Sequence, residues 1–100
     1  MSRIELAPEI GDDFDRILEH LLAHQGTDAP SHIEDIIRAI DVLERNPLIG
    51  GPARGDLREL VIGRRARGYV ALYQYVAELD VVFVLAIRGQ KEAGYTEGQV

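Results

Sequence analysis

The sequence predicts an α+β fold, ordered β-α-α-β-β-β, with a helical hairpin packed on one face of a mainly antiparallel sheet. Two observations predict it. Apolar residues recur at the helical period through the first half of the chain and at period two through much of the second. Between the two regimes lies a loop, Leu48 to Asp56, that holds Gly50, Gly51, Pro52 and Gly55. A block of helices followed by a block of strands implies one helical layer on one sheet.

The elements follow in order. Arg3-Ile4-Glu5-Leu6-Ala7 alternates polar and apolar, as a half-buried strand does, and Pro8 ends it. Pro8 also suits the first turn of a helix, where its missing N–H is not needed. Glu9, Asp12 and Asp13 place negative charge near the positive end of that helix. Ile10, Phe14, Ile17, Leu18, Leu21 and Leu22 form its apolar stripe, with Asp13, Asp15, Arg16 and Glu19 assigned to the opposite face. His20 and His24 fall in its last turns, and Gly26 is a natural stop. Ser31 with Glu34 has capping-box spacing for a second helix, and Asp28 is a competing cap. That helix carries Ile33, Ile36, Ile37, Ile40 and Leu43 on one face, with His32 expected to be exposed in its first turn. Asn46-Pro47 breaks it. A link this short makes the two helices an antiparallel hairpin.

Leu57 to Ile62 reads as a strand, and Gly63 to Gly68 as a basic turn. In the next strand, Tyr69 to Val76, alternation sends Tyr69, Tyr73 and Tyr75 to one face and Val70, Leu72 and Val76 to the other. The aliphatic face is expected to meet the helices, which leaves the tyrosine face open. Glu78-Leu79-Asp80 makes a hairpin turn. Val81 to Ile87 is apolar at every position, as in a central strand covered on both faces.

The length of 100 residues fits a single domain spanning 1–100. Folding at this size hides roughly 65% of the unfolded surface, enough for one modest core. There are no cysteines, which excludes disulfides and thiolate metal sites and fits a reducing compartment. The N-terminus lacks the apolar core of a signal peptide, and the longest apolar run is too short for a spanning helix. A cytoplasmic protein with no membrane partner is the expectation. The net charge of −6 is uneven: residues 1–50 carry four arginines and eleven acids, residues 51–100 seven bases and six acids. Basic residues crowd between Arg54 and Arg67, so a polyanion would have to meet that patch and avoid the helices. This balance speaks against a general nucleic-acid binder.

Several stretches, in this order and spacing, carry a resemblance. They are Leu6-Ala7-Pro8-Glu9 running into an acidic helix, Leu43-Glu44-Arg45-Asn46-Pro47, and Leu57-Arg58-Glu59-Leu60-Val61. Tyr69-Val70-Ala71-Leu72-Tyr73 and Val84-Leu85-Ala86-Ile87-Arg88, with the tail to Tyr95, complete the set. Over nearly its whole length the chain resembles the RelE/ParE toxins of bacterial type II toxin–antitoxin modules. The resemblance implies the α+β sandwich already derived, and a cognate antitoxin whose extended segment wraps the toxin. It also implies one of two targets. RelE-like members cut mRNA on the ribosome with basic residues and a terminal tyrosine or histidine, whereas ParE-like members poison DNA gyrase and lack that set. No cofactor is implied.

The candidate residues are weighed on chemistry. Arg58, Arg64, Arg65, Arg67 and Arg88 could clamp phosphates or contact a target, and the plain alternative is that they are solvated. Arg58 and Arg88 end strands as the family's basic residues do. RNA cleavage without a metal needs a base for the 2′-hydroxyl and an acid for the leaving oxygen. Just after the last strand, where relatives of the mRNA-cutting type often show histidine, this chain has Gly89, which moves no proton. Lys91 and Tyr95 remain as target contacts or, in a RelE-like enzyme, as catalytic residues beside Arg58 and Arg88. An unperturbed tyrosine or lysine is a poor base at neutral pH, and Tyr95 has a plain alternative as an aromatic plug. Tyr69, Tyr73 and Tyr75 are candidates for an antitoxin groove. His20 and His24 lie one turn apart, yet no third ligand accompanies them, so no metal site is expected. Arg54-Gly55-Asp56 matches an integrin motif on letters alone.

The leading expectation is a ParE-like toxin, a DNA gyrase inhibitor that acts by binding. The alternatives are a ribosome-dependent mRNA endonuclease, with Arg58, Arg64, Arg65, Arg67, Arg88 and Tyr95 converging near one sheet end, and a non-toxic binding module. A homodimer could form through the edge strand at Arg3–Leu6 or the tyrosine face.

Overall fold

The computed structural model describes residues 1–24, 29–63 and 68–90. Their elements are β1 (Arg3–Leu6), α1 (Glu9–His24), α2 (Ala29–Val42), β2 (Gly51–Pro52), β3 (Leu57–Ile62), β4 (Tyr69–Val76) and β5 (Val81–Gly89). The sheet order is β1-β5-β4-β3-β2. Only β1 runs parallel to its neighbour, with Arg3 opposite Val81 and Leu6 opposite Val84; the other pairs are antiparallel. The helical hairpin on a mainly antiparallel sheet is the architecture expected from the sequence. One strand is additional: Gly51 and Pro52, inside the predicted loop, pair with Glu59 and Arg58. At this outer edge Pro52 needs no ladder donor.

The core lies between the helices and one face of the sheet. Ile10, Ile17 and Leu21 of α1 and Ile36 and Ile40 of α2 join Leu43 in packing on Ile62, Tyr69, Ala71, Tyr73, Val82, Val84 and Ile87. The tyrosine face therefore meets the helices, contrary to expectation: Tyr73 is 0% and Tyr69 9% exposed. Burial is tolerated because each hydroxyl has a partner. Tyr73 Oη accepts from the Gly50 N–H at 2.9 Å, Tyr69 Oη lies 3.0 Å from His32 Nδ1, and Tyr75 donates to Asp80 at 2.8 Å. The aliphatic face is covered too, since Val70 and Leu72 are buried.

Strand β5 changes parity midway. Tyr73 pairs with Val84 and Leu72 with Ala86, which leaves Leu85 without a partner on β4. This bulge turns Ile87 toward the core and Arg88 to the far face.

Asp13 also departs from expectation, being buried at 1% exposure rather than solvated. Strand β1 stops at Leu6, its backbone contact with β5 ending where the Ala7 N–H donates to Val84 O at 2.9 Å. Past that point Asp13 and Arg16 do what a strand would. Asp13 Oδ2 accepts from the Ile87 N–H at 2.9 Å, and Arg16 Nη2 donates to Ile87 O at 2.9 Å. The two side chains are tied by a 2.8 Å ion pair. The sequence held a signal for this: Asp13 is three residues after Ile10 and four before Ile17, inside the buried stripe.

Helix α2 begins at Ala29, so Ser31 lies inside its first turn and is not its cap. The competing cap Asp28 and the stop Gly26 lie outside the described residues. After Val42 the chain tightens into i→i+3 turns, with Leu43, Glu44 and Arg45 N–H groups bonded to Ile40, Asp41 and Val42 carbonyls.

Candidate functional site

The strand arginines do not converge. Arg58 sits opposite Tyr73, and Arg88 opposite Val70. They are therefore about 10 Å apart along β4, at roughly 3.3 Å per residue, and on opposite faces of the sheet. This corrects the expectation that Arg58 and Arg88 meet at one sheet end. Arg58 shares the helix-side face with Tyr73 and holds the incoming loop, with Nη1 donating to Gly50 O at 2.7 Å and Leu48 O at 3.3 Å. Gly50 must be glycine here, because a Cβ would come within 2.7 Å of both Glu59 O and the Tyr73 ring. Arg58 and Tyr73 thus clamp the same loop.

Arg88 projects from the far face, its side chain 19% exposed. Its Nη2 lies 3.9 Å from Glu59 Oε2, and its Nη1 donates to Gly89 O at 3.2 Å. Glu59 reaches it diagonally across β4, since Glu59 is opposite Leu72 and Arg88 opposite Val70. Sequence reading missed Glu59; the period-two pattern of the strand placed it on the face opposite Arg58, and only the register shows what it meets. Arg64, Arg65, Arg67, Lys91 and Tyr95, and the side chain of His24, lie outside the described residues.

Gly89 ends β5 directly opposite Tyr69. His32, expected to be exposed, is instead half-buried against Tyr69, the two rings edge-on at 6.0 Å and 89°. At the opposite end of β4, Asp80 has a left-handed backbone (φ 51°) and collects two hydroxyls, from Ser2 at 2.7 Å and Tyr75 at 2.8 Å. These hydrogen bonds, Ser2 first, hold the Asp80 carboxyl below its ordinary value. The same contact with Asp80 raises the Tyr75 hydroxyl above its own. Among the described residues, no group of three or more His, Cys, Asp or Glu side chains is placed to hold a metal ion. Nor is any described helix long and apolar enough to cross a membrane.

The described residues form two concave surfaces among others. One cleft of about 380 Å³ lies beside Arg58, Leu57, Gln74 and Tyr75 and carries the acids Asp56 and Glu78. A smaller groove of about 160 Å³ separates the helices, lined by Phe14, Leu18, Ile33 and Ile37 with Asp15 on its wall. Leu18, Leu22 and Ile37 are exposed along this hairpin, and it is here, not on the tyrosine face, that apolar side chains reach the surface beside a groove.

Residues 4–94 match the family model of the ParE toxin of type II toxin–antitoxin systems, parDE. The chain belongs to the ParE toxin family. Solved structures agree on the fold. A chain of the chromosomal ParDE system of P. aeruginosa superposes with a TM-score of 0.74 at 20% identity, covering 89% of this chain and 96% of that one. A chain of the intact E. coli RelBE toxin–antitoxin complex gives 0.63 at 20% identity, covering 92% and 99%. The isolated E. coli RelE toxin gives 0.64 at 16% identity, covering 93% and 88%. At these identities the likeness shows the shared RelE/ParE fold and no more. No curated protein sequence matches significantly. Membership in a toxin–antitoxin family implies a cognate antitoxin as partner.

Proposed function

We propose that this ParE-family chain acts by binding, with DNA gyrase as its target, and is neutralised by its antitoxin. One observation carries the choice over mRNA cleavage. Arg58 and Arg88, which a phosphodiester site would have to combine, face opposite sides of the sheet, and Arg58 is engaged by the loop carbonyls of Leu48 and Gly50. The position after the last strand arginine is Gly89, which supplies neither base nor acid. A docking surface needs no proton transfer. Arg64, Arg65, Arg67, Arg88, Lys91 and Tyr95 are then target contacts rather than catalysts, and Arg58 supports them by holding the fold. The antitoxin's anchors go to the interhelical groove at Phe14, Leu18, Ile33 and Ile37, whose acidic surroundings favour a segment with an apolar ridge and basic flanks.

Supercoiling by purified gyrase is the test. Micromolar toxin should inhibit it, and antitoxin should restore it. Full supercoiling in the presence of folded toxin would overturn the reading. Codon-positioned cuts in mapped transcripts after induction, lost in Arg88→Ala, would establish the nuclease instead.

A further inference from the structure

The face of the sheet turned away from the helices carries one arginine on β5 and, two strands away, one glutamate on β3. Their side chains cross β4 to within 3.9 Å, and both are largely withdrawn from solvent, at 19% and 33% exposure. Neither lies at a floppy end: Glu59 is mid-strand in β3 and Arg88 is the penultimate residue of β5, anchored on each side by paired backbone. The bulge at Leu85 is what turns Arg88 to this face, where Glu59 already points.

We infer that Glu59 is a selectivity residue, which keeps the Arg88 surface from binding nucleic-acid phosphate. A phosphate oxygen drawn to the Arg88 guanidinium would arrive beside a carboxylate of the same sign that occupies the same cation. The anion must then displace Glu59 or share Arg88 with it, and like charges so close repel strongly where water is partly excluded. A neutral or cationic protein surface meets no such obstacle. This deepens the proposed reading, because it gives a chemical reason for a protein rather than a nucleic-acid target. The two fail separately, since the test below contains no gyrase.

The probe is a short single-stranded oligouridine carrying a fluorophore, titrated by anisotropy against the full chain over a series of salt concentrations. Glu59→Gln keeps the shape and removes the charge. It should bind on the order of tenfold more tightly at low salt than the unsubstituted chain. Its plot of log affinity against log salt should steepen by about 0.7, the increment for one more neutralised phosphate on a single strand. Adding Arg88→Gln to Glu59→Gln should abolish both gains. Glu19→Gln on α1, an exposed acid, makes the same change in net charge and should show neither. Glu59→Ser carries the same expectations should Glu59→Gln fail to fold, as read by circular dichroism. Unchanged binding in a folded Glu59 variant overturns the inference, as does a gain that survives loss of Arg88 or appears equally in Glu19→Gln.

Discussion

The two faces of this sheet use polar side chains in different ways. On the face under the helices they hold backbone: Asp13 and Arg16 take the Ile87 N–H and C=O, Arg58 takes two loop carbonyls, and Tyr73 takes the Gly50 N–H. On the far face they hold each other, as in Glu59 with Arg88 and Arg3 with Glu5. A backbone group sealed under helices has no water to turn to, so its side-chain partner is bound up with stability. The Glu59–Arg88 contact, at 3.9 Å, is too long for a strong hydrogen bond and holds no backbone group, so it contributes little to stability and is open to a role in recognition. Residue type does not distinguish the two cases; Arg58 and Arg88 read alike until the faces are known.

The largest effect should come from Asp13, whose carboxylate is buried while its partner Arg16 is partly exposed. Asp13→Ala leaves the buried Ile87 N–H without its acceptor and takes the carboxylate from Arg16, and should cost about 3 kcal/mol. That is a large part of the total stability of a domain this size, on the order of 5–15 kcal/mol. Asp13→Asn, which keeps an acceptor, should lose less; urea denaturation of both would show whether the contact holds backbone, as argued. A sharper comparison uses adjacent residues on opposite faces. Arg58→Ala should lower stability by roughly 1.5–3 kcal/mol through its charge-assisted bonds to carbonyls, whereas Glu59→Gln should stay within about 1 kcal/mol. Equal losses in urea would erase the distinction between the faces.

The smallest effect is in acid. Asp80 has a lowered carboxyl pKa in the folded chain, so it contributes stability that is fully present above the ordinary aspartate value. That contribution disappears as pH falls through the lowered folded value. Asp80→Asn tolerates the same left-handed backbone and removes the charge. Its melting temperature should lie below that of the unsubstituted chain at neutral pH, and the gap should close in acid.

Much of the fold was legible because periodicity reports which residues are buried. Ile10, Ile17, Leu21, Ile36 and Ile40 are buried on their helices as the stripes predict, Leu43 is buried just past the end of α2, and the three long strands follow the β-type runs. The departures share a cause: residue type does not fix destination. Alternation and residue type alone point the tyrosines outward, yet a tyrosine whose hydroxyl finds a partner fills more of the core than an aliphatic residue. Its charge points Asp13 outward, whereas its place in the stripe points it in. The candidate site was less legible, since Glu59 and Arg88 are 29 positions apart and meet only through the register of three strands and the bulge at Leu85. A strict count of alternation past Val84 would put Arg88 under the helices.

The Asp13–Arg16 pair has a consequence for how the protein behaves in a crowd. Where β1 ends, the second half of β5 would otherwise present open donors and acceptors to any passing strand. Two side chains from α1 occupy that template at Ile87. They act as a stopper against fibre-like growth from this edge, so a chain lacking them would risk precipitation as well as unfolding.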